Sequence, residues 1–182
     1  MKKLALSTIV FAAALFTMVG CIKQDDFIFK GLQVEFDAAS WNARGAGVEW
    51  PVLTRVPAYG MPVLNAPITT VSPAIPADPL ITRTSGTIRF RVNLIGAQQA
   101  TAQTINYSAI AASSTAVAGT HYTIPGTLTI PANSSFGEAI VNILNPGVSS
   151  TTTRSLVLEV TGNSTIQPAV QLNKIGLVIN QN

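Results

Sequence analysis

Cysteine and histidine each occur once in this chain, at Cys21 and His121, and only 10% of its residues are charged. A lone thiol leaves nothing to pair with in a disulfide and no thiolate set for a metal. A lone imidazole leaves no second histidine for a metal site or a relay, so a turn histidine beside Tyr122 reads as structural. Soluble proteins usually carry ~25% charged residues, and here Ser, Thr, Asn and Gln take that polar role. The 11 basic and 8 acidic residues include Lys2 and Lys3 in an N-terminal leader, so nine basic residues face eight acidic ones once it is removed. No basic patch or nucleic-acid motif remains, which excludes a nucleic-acid partner. Helical periodicity is also missing beyond the leader.

The leader has a basic start at Lys2 and Lys3 and an apolar run from Leu4 to Val19, broken only by Ser7, Thr8 and Thr17. The run is shorter than the ~20 apolar residues a membrane span needs and is flanked as a secretory signal is. Met18-Val19-Gly20-Cys21 resembles a bacterial lipobox, which implies cleavage after residue 20 and acylation of Cys21. A single acyl chain holds a protein only marginally, at ~0.8 kcal/mol per buried methylene; lipoproteins of this type carry three. Ile22-Lys23-Gln24-Asp25-Asp26 resembles the export signal of Bacteroidota lipoproteins, with Lys23, Asp25 and Asp26 as its determinants. The expected address is the outer membrane, lipid-anchored and facing the exterior. The expected organisation is a signal peptide at 1–20, a lipidated tether at 21–30 and one domain at 31–182.

From residue 86 onward the apolar period is two. Ile88, Phe90, Val92 and Leu94 alternate with Thr87, Arg89, Arg91 and Asn93, the pattern of a half-buried strand. Five further runs follow, centred on Ile105–Ala109, Leu128–Ile130, Ala139–Ile143, Leu156–Val160 and Ile175–Ile179, and Leu32, Val34 and Phe36 form an earlier one. Turn residues separate them, among them Gly96, Gly119, Pro125-Gly126, Asn145-Pro146-Gly147 and Gly162-Asn163. The prediction is an all-β, Ig-like antiparallel β-sandwich of about seven strands.

Residues 38–82 interrupt the pattern. Seven of the 11 prolines lie between Pro51 and Pro79, which bars a long helix or strand. The segment also holds Trp41, Trp50 and Tyr59, which disordered linkers lack. It reads as an ordered proline-rich loop with short edge strands near Val52–Arg55 and Leu80–Arg83.

Ala118-Gly119-Thr120-His121-Tyr122, followed by Gly126-Thr127-Leu128-Thr129-Ile130 and Val141-Asn142-Ile143, resembles the Calx-beta motif over residues 118–162. The chain also resembles small Bacteroidota lipoproteins that carry domains of unknown function on such a core. Calcium-binding members of the Calx-beta family use carboxylates clustered in end loops. Here His121 stands where the motif has Asp, and Asn145–Ser155 contains no acid. Calcium takes 6 to 8 oxygen ligands, several of them carboxylates, so the resemblance implies the fold without the metal site. No cofactor is expected.

Glu35 and Asp37 alternate with Val34 and Phe36 as solvent-facing residues do, so a paired-carboxylate hydrolase is not expected and the chain reads as non-enzymatic. Arg89 and Arg91 share an outward face, where they either grip an anionic partner or guard a solvated edge against strand pairing. Trp41, Trp50 and Tyr59 are either contacts for a partner or anchors that pin the loop. The functional expectation is a surface binding or assembly module for another surface protein, with a glycan-binding accessory of a polysaccharide-uptake system as the alternative.

Overall fold

The computed structural model describes residue 29 and residues 31–37, 49–56 and 79–182. Gly31–Asn182 forms one compact unit. Its described residues contain ten strands: β1 Gln33–Phe36, β2 Val52–Leu53, β3 Thr87–Ile95, β4 Gln103–Ala109, β5 Tyr122–Thr123, β6 Thr127–Ile130, β7 Phe136–Ile143, β8 Arg154–Gly162, β9 Gln167–Pro168 and β10 Lys174–Ile179. The helical content of the described residues is a single 3-10 turn, Ala111–Ser113. No helix among them is long and apolar enough to cross a membrane.

The strands make two five-stranded sheets, β5-β7-β3-β1-β9 and β2-β10-β8-β4-β6. Seven strands have four or more residues, and these match the seven period-two runs of the sequence. β2, β5 and β9 have two residues each, too few to show a period. The sandwich is antiparallel in its long pairings but mixed at its edges, since β1 with β9 and β10 with β2 run parallel. That corrects a purely antiparallel reading. Both exceptions are edge pairings reached through long connections, which parallel neighbours require. Short pairings also fall where the proline-rich segment enters and leaves: Arg55 bridges Leu80, and Thr82 bridges Asn180.

Alternation puts one side chain of every pair between the sheets. Val34, Phe36, Ile88, Phe90, Val92, Ala139 and Val141 from the first sheet meet Ile105, Tyr107, Leu156, Leu158, Val160, Ile175, Leu177 and Ile179 from the second. Phe36 and Phe90 meet edge to face with ring centroids 6.2 Å apart. One side of the sandwich is closed by close approach of β6 to β7. A Cβ on Gly137 would stand 2.5 Å from the Thr129 carbonyl oxygen and 2.8 Å from Leu128 Cδ1, so only glycine lets the two strands approach this far.

Candidate binding faces

On the outer face of the first sheet, Arg89 and Arg91 project from β3 as the alternation requires. β3 lies between β7 and β1, so these arginines do not guard an edge. Arg89 Nη1 meets Glu138 Oε2 at 3.0 Å. Arg91 Nε lies 3.6 Å from Asp37 Oδ2, donates to Asn93 Oδ1 at 3.1 Å, and the guanidinium sits 4.0 Å above the Phe136 ring. Stacking of guanidinium on an aromatic face and exposed pairing each contribute about 1 kcal/mol or less. Their charges are answered within the sheet. Glu35, opposite Asn93, is pushed above the usual carboxylate range by partial burial and then by the Asp37 charge.

The outer face of the second sheet has a different chemistry. Thr104, Asn106 and Ser108 of β4, Thr127 and Thr129 of β6 and Thr161 of β8 all point outward and are exposed. The charged pair on this face is Lys174 with Glu159, 3.9 Å apart. Trp50 lies across β10 where Gly176 leaves room: a Cβ there would stand 3.2 Å from the indole Nε1 and 3.3 Å from Cδ1. The Lys174 ammonium is 5.9 Å from the ring centroid, and Trp50 stays partly exposed. A flat ring seated on backbone can stack on a partner surface, while the hydroxyls and amides of β4 and β6, two and three strands across the same sheet, can donate and accept hydrogen bonds.

At one end of the sandwich the turn of His121 meets the loop after β7. His121 is buried, its Nδ1 accepts the Val117 N–H at 3.0 Å, and its carbonyl accepts the Leu144 N–H at 2.9 Å. The imidazole is therefore a turn-closing acceptor. Among the described residues no group of three or more His, Cys, Asp or Glu is placed to hold a metal ion.

Cys21, Lys23, Asp25, Asp26, Trp41 and Tyr59 lie outside the described residues, so of the candidate residues Trp50, Arg89 and Arg91 are placed. Trp50 and the two arginines stand on different sheets and do not form one site. Sequence reasoning missed Phe136, Lys174, Glu159 and Gly176. Their roles depend on cross-strand register, which no local pattern in the sequence encodes.

No protein-family profile matches this chain, and no curated protein does. Among solved structures, the chain is similar to the apo form of the Calx CBD1 domain, with 13% identity and a TM-score of 0.51, over 84% of this chain and 99% of that one. CBD12 of CALX1.2 and the calcium binding domain CBD12 of CALX1.1 are each 17% identical over 55% of this chain, with 39% and 40% of their own chains covered and TM-scores of 0.44 and 0.45. At such identity the first likeness shows the fold alone. That fold is a Calx-beta-like sandwich, in agreement with the motif at residues 118–162.

Proposed function

We propose that the chain is a lipoprotein of the Bacteroidota type, anchored through Cys21 in the outer membrane, facing the exterior and acting as a non-enzymatic binding or assembly module. The leader and the residues after Cys21 support the address. The observation that carries the binding role is Trp50, partly exposed over Gly176 beside Lys174, on a sheet face whose farther strands carry hydroxyls and amides. Aromatic anchors of this kind dominate protein contacts, and a second surface protein is the first partner. The uncharged carpet of Thr104, Asn106, Ser108, Thr127 and Thr129 favours a second reading, capture of a neutral glycan, since these groups match sugar hydroxyls.

The test is capture from solubilised outer membranes by the mature chain, beside a panel of neutral oligosaccharides, with Trp50→Ala in parallel. Loss of a captured protein by about 2 kcal/mol or more, with the urea midpoint little changed, supports the first reading. Oligosaccharide binding lost in the same variant supports the second. Equal binding by both chains removes Trp50 from the site, and no binding by either rejects the module. Mass spectrometry of the mature N-terminus checks the anchor: an acylated Cys21 is expected, and an intact Met1 on membrane-bound protein would contradict it.

A further inference from the structure

Three inner-face rows of the second sheet change character at the same end of the sandwich. Ile81, Ile179 and Leu156 are fully buried. The residues that share their faces one alternation onward are Arg83, Gln181 and Arg154. Register brings them together: Arg154 is directly opposite Ile179, Thr82 bridges Asn180, and the Arg83 N–H donates to the Asn180 carbonyl at 2.8 Å. Arg83 and Arg154 thus stand on the two sides of β10, roughly 10 Å apart at two strand spacings, and share its inner face. From the opposite sheet Asn145, one alternation past Ile143, accepts Arg83 Nη1 at 2.6 Å, while Arg83 Nε reaches the Asn182 main-chain oxygen at 3.3 Å.

The charges here are not answered as they are elsewhere. Arg89, Arg91 and Lys174 each face a carboxylate. Among the described residues no carboxylate side chain pairs with Arg83 or Arg154, and Arg154 Nε is buried with no hydrogen-bond partner. The surrounding segments, 79–87, 117–123 and 144–155, contain no Asp or Glu. A buried guanidinium N–H without an acceptor costs the full desolvation of a charged donor, and an arginine fork matches oxyanion geometry. We propose that this end of the sandwich is a binding site for an oxyanion, a carboxylate or sulfate group, held between Arg83 and Arg154, with the buried Gln181 beneath it on β10 and Asn145 beside Arg83. The site is separate from the Trp50 face and does not depend on it.

The experiment titrates the full mature chain in detergent with sodium sulfate and, separately, with sodium galacturonate. Ionic strength is held constant with sodium chloride, galactose is the neutral control, and the arginine Nε–H signals are read by NMR. The expected result is saturable movement of the Arg83 and Arg154 signals, with Arg89 and Arg91 still. Saturation by sulfate alone identifies a tetrahedral group, and by galacturonate alone a planar one. Arg83→Gln and Arg154→Gln should each weaken binding by about tenfold or more, the loss of one charged hydrogen-bonding partner. Arg154→Lys keeps the charge without the fork and should fall between. Linear drift, equal movement at Arg89, or unchanged binding in the Gln variants overturns the proposal. Should a Gln variant fail to fold, the titration of the unaltered chain decides.

Discussion

At Tyr107 one hydroxyl joins the two sheets. The side chain crosses the core from β4, donates to the Ile140 carbonyl of β7 at 2.8 Å and accepts the Ile140 N–H at 3.1 Å. Tyr107→Phe keeps the ring and strands both backbone groups, so a loss of about 1–3 kcal/mol is expected in urea melts at neutral pH. Burial raises the phenol above its ordinary value near 10, against the lowering effect of its backbone partners. Above pH about 10 the unfolded chain therefore releases this proton first. Stability is fully present below that pH and is lost as pH rises through the folded value. The gap between the native chain and Tyr107→Phe should shrink from pH 8 to pH 11; a constant gap would show that the hydroxyl does not titrate with unfolding. Little of this was legible in the sequence, where Tyr107 was one more inward residue. Arg89 and Arg91 were legible as outward-facing, but Asp37 and Glu138 became their partners through register that no local pattern encodes.

The long strands could be read from alternation because each buries one face and wets the other, which leaves a period in the residues themselves. β5 and β9 leave no such trace, while β2 falls within the edge strand expected near Val52–Arg55; the pairing of all three is decided by what the long strands leave open at the edges. The approach of β6 to β7 was equally hidden, since Gly137 in a strand looks like a defect until Thr129 is placed against it. Gly137→Ala should cost about 1–3 kcal/mol, the usual penalty for overpacking a closed contact. Denaturant midpoints would measure it, and an unchanged midpoint would mean that β6 can move away freely. At the same level, Gly176→Ala should disturb Trp50 more than the core, because the added methyl meets the indole. Indole fluorescence shifting with the midpoint little changed is the expected pattern.

For the molecule as a whole, the acid-free loop at residues 145–155 and the buried His121 predict no calcium dependence. A ligand that binds only the native state raises the melting temperature by mass action. Millimolar calcium or a chelator should leave the midpoint of this chain where it was, and a shift of several degrees would point to carboxylates acting together, Glu35 and Asp37 first. The position of β10 has a further consequence. It lies between β2 and β8, so the second sheet is assembled around residues 174–179, which lie close to the end of the sequence given. A chain made from its N-terminus exposes β2, β4, β6 and β8 before the strand that joins β2 to β8 exists. Until then residues 52–53 have no strand to pair with, so the second sheet closes only once residues 174–179 are in place. A topology that closes late and is rich in distant pairings is slow to form.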